Sequence, residues 1–273
     1  MDKNIKVIFV DIDRTLTDNN KQVTRDNSIA IKEAVDNGIK VVLCSGRGTY
    51  FAVKKSKDAN ASNYVILNNG AQIYDYEKEE SIFEDPIPSN IVFKLIKKLS
   101  EEDIEYILNT PTFRYGSPKL DRRLDVRDKT LLNIEQVKEE KILQVVGETK
   151  DFDSMDKLIK VVESFPELKI SNLSRSYLEG KRDEKRYYAD INLNTVNKGV
   201  GINKFLQFFN LTKEQSICFG DYINDLDMFD ACGTKVAMEN GCDEVKQKAD
   251  FVTLTNEESG VAYYINKYIL NKN

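Results

Sequence analysis

Two acidic motifs stand about two hundred residues apart in this chain: VIFVDIDRT, with Asp11 and Asp13, and ICFGDYINDLDM, with Asp221 and Asp225. Each comes after a short apolar run that reads as a buried strand, so each sets its carboxylates where a strand ends and a loop begins. Open parallel sheets build active sites at such places. Asp11 and Asp13, spaced i, i+2, point to one side while the backbone stays extended. Bringing Asp221 beside them gathers several negative charges in one crevice, and only a cation makes that arrangement tolerable. Between the acidic motifs stand CSGR (Ser45, Gly46, Arg47), after the apolar run Lys40 to Leu43, and VNKG, whose Lys198 opens a helix-like stretch.

Exclusions narrow the chemistry further. The chain has no histidine, which removes Ser-His-Asp hydrolysis, phosphohistidine chemistry and the usual His-containing zinc sites. A cysteine phosphatase needs an arginine six residues after its cysteine. The residues six after Cys44, Cys218, Cys232 and Cys242 are Tyr50, Asn224, Met238 and Lys248. No GxxxxGK[ST] loop occurs, so a P-loop nucleotide site is unsupported. Catalysis is left to carboxylates, hydroxyls, lysine and a metal.

The elements that position these groups can be read from hydrophobic patterning. Strands are expected at Ile5 to Val10, Lys40 to Leu43 and Tyr64 to Leu67, with helices at Asn27 to Asn37 and Tyr50 to Lys57. The first helix should turn Ile29, Ile31, Ala34 and Val35 inward and close at Gly38. The same alternation returns near the end: a helix after Lys198, strand Ile217 to Phe219, a helix after Asn224, strands Lys235 to Ala237 and Phe251 to Thr253, and a last helix from Glu257. Such alternation implies right-handed βαβ units, so the fold class is α/β with a doubly wound parallel sheet. Residues 1–84 and 191–273 should share it.

From about Asp85 to Asp190 the pattern changes. Ser89 is suited to cap a helix with Ile91, Val92, Leu95, Ile96 and Leu99 on one face. Ser154 is suited to start another carrying Met155, Leu158, Ile159, Val162 and Phe165. Alternating segments at Ile104 to Leu108, Ile142 to Val146, Leu168 to Leu173 and Tyr187 to Asn192 supply strands. Residues 85–190 therefore read as an inserted α+β module.

A length of 273 residues leaves ample chain for a core. A net charge of −5 argues against a general nucleic-acid binder. No run of about eighteen apolar residues occurs, and MDKNIKVIFVDID reads as a charged start leading into a strand, so a soluble, cytoplasmic protein is expected. The four cysteines lie far apart without CxxC pairs and read as thiols.

The order DxDxT, S-G, K, GDxxND resembles the haloacid dehalogenase superfamily of phosphotransferases, most closely its Cof-type phosphatases, over nearly the whole chain. The resemblance implies a Rossmann-like core, with residues 85–190 as the family's larger cap, which roofs the active site. It implies a phosphatase acting on small phosphorylated metabolites, best guessed as sugar phosphates. In such an enzyme Asp11 is the nucleophile, forming an aspartyl-phosphate that water hydrolyses, and Asp13 is the general acid and base. The cation should be magnesium (Mg2+), because carboxylate and carbonyl oxygens suit a hard ion and neither imidazole nor clustered thiolate favours zinc. Its ligands by resemblance are the Asp11 side chain, the Asp13 carbonyl and Asp221, with Asp225 holding a metal-bound water. Ser45 and Lys198, with backbone N–H groups near Gly46 and the neighbouring Arg47, fit the task of holding phosphoryl oxygens. Thr15 is placed to orient the loop.

Asn224 fits either a phosphate contact or a plain helix N-cap. Asn69 and Gly70 in LNNGA resemble the family's substrate-facing loop, and an Asn-Gly hairpin turn explains them equally well. Arg14 departs from the pattern by standing where the family commonly has glycine, which bears on substrate range. Arg114, Arg122, Arg123, Arg127, Lys181, Arg182 and Arg186 are the cap's basic candidates for meeting a phosphorylated substrate, against the plainer reading as solvated charges. The alternatives are a sugar phosphomutase of the phosphomannomutase type, which would retain phosphate in its product, a phosphate-accepting receiver module, and a non-catalytic protein that binds phosphorylated metabolites.

Overall fold

The apolar run Val7–Val10 is buried at every position, and its side chains divide by parity. Ile8 and Val10 join one core cluster while Val7 and Phe9 join another. A strand alternates its faces with period two, so two separate apolar clusters require a covering layer on both sides of the sheet. The computed structural model describes residues 5–120, 128–182 and 186–272. Arg122, Arg123 and Arg127 lie outside the described residues.

From the N-terminus the elements are β1 (Val7–Val10), α1 (Arg25–Asp36), β2 (Lys40–Cys44), α2 (Thr49–Asp58), β3 (Tyr64–Leu67), β4 (Gln72–Asp75) and β5 (Glu80–Glu84). The next stretch adds α3 (Ser89–Glu101), β6 (Glu105–Asn109), β7 (Arg114–Gly116), β8 (Asp128–Thr130), β9 (Gln144–Thr149), α4 (Phe152–Glu163), β10 (Leu168–Leu173), α5 (Arg175–Leu178) and β11 (Tyr187–Leu193). The chain closes with α6 (Lys198–Phe208), β12 (Ser216–Gly220), α7 (Leu226–Ala231), β13 (Thr234–Ala237), α8 (Asp243–Lys248), β14 (Phe251–Val252) and α9 (Gly260–Tyr264). These divide into two units, one of Met1–Arg47, Phe51–Phe83 and Asn197–Asn273, the other of Gly48–Tyr50 and Glu84–Val196. No helix among the described residues is long and apolar enough to cross a membrane.

The first unit holds an eight-stranded sheet in the order β14-β13-β12-β1-β2-β3-β4-β5. Pairing is parallel from β14 through β3, and β4 returns antiparallel to β3. The chain leaves β1 toward β2 and β3, then comes back to its other side with β12, so the strand order reverses between β1 and β12. Val10 pairs with Phe219, which puts Asp11 and Asp221 at neighbouring strand ends. The α/β doubly wound class is therefore observed. One face packs Ile8, Val41, Leu43, Val65 and Phe219 against α1 and α9, and the other packs Phe9, Val42, Ile66 and Cys218 against α6 and α7.

Helix α1 starts at Thr24, whose hydroxyl accepts a hydrogen bond from the Asn27 N–H. Its buried face is Asn27, Ala30, Ile31 and Ala34. Ile29, expected inward, is 46% exposed. It lies two residues, or about 200°, from Ile31 around the helix, so the two cannot share a face.

The second unit has a six-stranded sheet in the order β10-β11-β9-β6-β7-β8. Ile91, Val92, Leu95, Ile96 and Leu99 of α3 are all buried, and they join Met155, Leu158 and Val162 of α4 and Leu108, Val145 and Ile191 of the sheet in one cluster. Two capping expectations are corrected. Ser89 is the first residue of α3, coming after Pro88, and makes no cap. Helix α4 starts before Ser154 because the Asp151 carboxylate accepts the Ser154 N–H at 2.8 Å, a charge-assisted cap that fixes the start upstream.

Phe205 on α6 is fully buried, edge-on to Phe9 at 5.5 Å between ring centroids, whereas Phe208 is 58% exposed. Phe205→Ala should lower unfolding free energy by about 3–5 kcal/mol, and Phe208→Ala by less than about 1 kcal/mol. Urea denaturation of both variants checks this, and equal losses would contradict the two-sided packing.

Candidate active site

A tight turn at the end of β1 decides where the carboxylates sit. It spans Ile12–Leu16 and is closed by the Leu16 N–H on the Asp11 carbonyl at 3.2 Å and the Thr17 N–H on the Ile12 carbonyl at 3.0 Å. Within it Arg14 takes φ 65° and ψ 8°. The turn therefore begins directly after Asp11, and Asp13, itself at φ −76° and ψ 117°, leads into the left-handed Arg14. Asp11 is buried, while the Asp13 side chain is 36% exposed and meets Arg47, whose Nε and Nη2 donate to its two oxygens at 2.9 and 3.2 Å. The Arg47 guanidinium also lies 5.2 Å from the Phe51 ring centre.

Three asparagines that sequence patterning missed hold this turn. Asn27, Asn240 and Asn256 each donate a side-chain N–H at 2.9 Å, to the carbonyls of Leu16, Arg14 and Thr17 respectively. Their partners are 11, 226 and 239 residues away in sequence, so no local spacing marks them.

The centre of the site is Lys198. Asn197 caps α6 by accepting the Val200 N–H at 2.7 Å, which sets Lys198 as the first helical residue. Its side chain is 1% exposed, and Nζ donates to Asp11 Oδ1 and to Asp225 Oδ1, both at 2.6 Å. The other oxygen of Asp225 accepts the backbone N–H groups of Asp221 at 2.9 Å and Tyr222 at 3.1 Å. Asp225 thus ties the loop after β12 to the lysine. Thr15 Oγ1 lies 3.4 Å from Asp221 Oδ1.

Asp11, Asp221 and Asp225 offer oxygens within 4.8 Å of one another, all three buried. Part of the cation that the sequence called for is thus the chain's own ammonium. Burial alone would pull the Lys198 pKa down, but Asp11 and Asp225 outweigh it and hold the ammonium charged. Burial pushes the Asp11 carboxyl well above the ordinary aspartate range; Lys198 opposes this, and Asp225 and Asp221 add to it. Three carboxylates share the enclosed ammonium of Lys198 and the half-exposed guanidinium of Arg14, 3.8 Å from Asp221, so a further cation would relieve the repulsion that remains. An all-oxygen donor set in a chain without histidine fits a hard divalent ion.

The remaining expected residues frame this centre. Ser45, 2% exposed at the end of β2, accepts the Arg47 N–H on its hydroxyl at 3.2 Å, with Gly46 between them. The Ser45 and Arg47 carbonyls accept the backbone N–H groups of Asn69 and Asn68. Asn68, Asn69 and Gly70 are three consecutive residues at positive φ in the hairpin joining β3 to β4, which is the turn reading of that motif. At Gly70, φ 100°, a Cβ would lie 2.0 Å from the Asn197 carbonyl oxygen. The hairpin therefore packs directly on the start of α6, and glycine is required there. Gly199 is likewise pressed on the Asp227 carbonyl, where a Cβ would sit at 2.3 Å. Asn224 is half-buried in the turn Ile223–Asp225, and Asp225, not Asn224, occupies the N-cap position of α7. All of these residues belong to the first unit.

A family model described as haloacid dehalogenase-like hydrolase matches residues 8–265. A 5-amino-6-(5-phospho-D-ribitylamino)uracil phosphatase of Bacillus subtilis (strain 168) is 28% identical, over 97% of this chain and 98% of its own. Among solved structures, a haloacid dehalogenase-like hydrolase from Bacteroides thetaiotaomicron superposes with a TM-score of 0.82 at 23% identity, covering 96% of this chain and 99% of that one. A subclass IIB sugar phosphatase of the same superfamily superposes at 0.76 and 21% identity, covering 96% and 98%. At these identities the structural likeness speaks for the fold.

Removing one partner of a buried ion cluster leaves the others uncompensated. Lys198→Met should therefore lower unfolding free energy by about 3–5 kcal/mol in metal-free buffer. Adding Asp225→Asn to that variant should recover part of the loss, as it removes a stranded charge. Urea unfolding of the single and double variants measures this coupling; simply additive losses would contradict it.

Proposed function

Because the chain belongs to the family of haloacid dehalogenase-like hydrolases, whose members similar to it are phosphatases, we propose that this phosphoric monoester hydrolase works through an aspartyl-phosphate on Asp11. We propose further that it needs magnesium and acts on small sugar-phosphate-like metabolites. The observation that carries the reading is the Asp11 carboxylate, buried at the strand-order reversal with one oxygen held by Lys198 at 2.6 Å. That contact fixes the rotation of the carboxylate and directs its other oxygen toward an incoming phosphoryl group.

The residues then divide the chemistry among them. Asp11 Oδ2 forms a bond to phosphorus as the ester P–O bond breaks, and Asp13 delivers a proton to the departing alkoxide. A water then attacks phosphorus, Asp13 removes its proton, and inorganic phosphate leaves as Asp11 is regenerated. Arg47 keeps the Asp13 carboxylate in one orientation through two hydrogen bonds. Lys198, and backbone donors of the Ser45–Arg47 turn, offset charge on the phosphoryl oxygens. The residues that would hold the ion are Asp11, the Asp13 carbonyl and Asp221, with Asp225 positioning the Asp221 loop through its two amide contacts. A bound divalent ion would supply charge neutralisation between nucleophile and phosphoryl oxygens.

The sugar-phosphate class is favoured by a relative that is a phosphatase of a phospho-D-ribityl compound. We assign substrate choice to the inserted module, because every phosphoryl-transfer candidate lies in the other unit. A panel of phosphorylated metabolites with phosphate release as the readout tests the proposal, and sugar and sugar-alcohol phosphates should lead it. Asp11→Asn should fold yet lose turnover by at least about a thousandfold, since an amide is a poor nucleophile. Near wild-type turnover of that variant would refute the nucleophile.

Chelation gives a separate test of the metal. EDTA should abolish phosphate release, and magnesium added in excess should restore it, because three crowded carboxylates need a hard cation. Full activity in EDTA would overturn the metal requirement.

A further inference from the structure

Arg14 is the residue of the β1 turn whose backbone shape least explains its identity. It holds φ 65° and ψ 8°, a region that suits glycine and penalises a Cβ. The turn itself asks little of it: the Arg14 carbonyl accepts a hydrogen bond from Asn240, a contact any residue type provides. What arginine adds is a positive charge. Its Nε stands 3.8 Å from Asp221 Oδ2, a carboxylate whose side chain is 3% exposed, while the arginine side chain is 47% exposed.

Around the acidic cluster, the chain supplies a cationic neighbour on each side. Lys198 serves Asp11 and Asp225, and Arg14 serves Asp221. The two cations differ in freedom. Lys198 is enclosed and bonded twice at 2.6 Å, whereas Arg14 reaches Asp221 from solvent at a distance longer than a hydrogen bond. A half-exposed arginine on a flexible stem can swing back into water at small cost. An enclosed lysine cannot.

We propose that Arg14 is an internal counter-ion that competes with the divalent cation for Asp221 and so lowers the affinity of the site for that ion. The inference rests on the proposed role of Asp11 and Asp221 in holding such a cation. The guanidinium stabilises Asp221 while no ion is bound, and a divalent ion taking that carboxylate has to displace it and meets its repulsion until it moves away. Strain in the turn is retained because the charge has this use.

Magnesium alone, titrated calorimetrically into chelator-stripped protein, tests the inference with no turnover involved. At low ionic strength Arg14→Gln should bind magnesium about fivefold more tightly than wild type, the upper range for a half-exposed ion pair. Arg14→Lys, which keeps the charge, should stay within about twofold of wild type. The gain in Arg14→Gln should shrink as salt is raised toward about 0.5 M, since exposed charges are screened. Asp221→Asn should weaken binding by at least about tenfold. Unchanged affinity in Arg14→Gln, with Asp221→Asn still weakened, overturns the role of Arg14 and leaves the metal reading intact. A gain in Arg14→Gln that persists in high salt, or one matched by Arg14→Lys, marks an effect of side-chain shape and not of charge, and overturns the counter-ion. Magnesium binding indifferent to Asp221→Asn, or absent from every protein, overturns the metal reading and this inference together.

Discussion

The site depends on one buried cation. Lys198 lies between Asp11 and Asp225 at 2.6 Å from each, joining the loop after β1, the loop after β12 and the start of α6. Burying an ammonium and three carboxylates is unfavourable unless each finds a partner, and here the partners come from segments nearly two hundred residues apart. The geometry is over-determined: Asp225 also takes two backbone amides, and Asn197 fixes where the helix begins. In the proposed role of nucleophile, a carboxylate held this way would lose little entropy on reacting, because its orientation is set by folding.

Close packing of backbone on backbone makes that lysine position possible. Gly70 and Gly199 allow the hairpin and the first turn of α7, at Asp227, to approach the first turn of α6 within distances that exclude a side chain. Asn68 and Asn69, both in the left-handed region, carry the hairpin to that contact while tying the Ser45–Arg47 turn by hydrogen bonds. Asparagine tolerates this conformation better than most residues, which is why two in succession precede the glycine. The motifs after β1, β2 and β3 and at the start of α6 thus form one interlocked piece, not four independent contributions.

The proposed division between reaction and specificity follows the construction of the two units. Each candidate group for phosphoryl transfer is supplied by the unit built from the chain's two ends, while the inserted stretch has its own sheet, helices and apolar cluster. A module with a separate core can change its surface without disturbing Lys198 or its partners. Chemistry common to a family and substrate choice particular to one member can then vary independently.

The sequence by itself determined the pattern of strands and helices, the α/β class, and which carboxylates and lysine were worth watching. These are local facts: apolar runs such as Val7–Val10 and the five buried apolar residues of α3 carry their period in neighbouring positions. The family resemblance was legible because its motifs are short and ordered. Tertiary structure decided what local spacing cannot. Asp11 is enclosed beside Lys198 while Asp13 meets Arg47 at the surface, because the chain closes a tight turn at Ile12–Leu16, held by Asn240 and Asn256 from the far end of the sequence. Ile29 faces solvent because helix geometry, not apolar character, chooses the buried side. That Lys198 neutralises Asp11 and Asp225, and that Arg47 pairs with Asp13, depends on contacts spanning 27 to 187 residues. Contacts of that range leave no period to read along the chain, since they exist only once the sheet has brought its strand ends together.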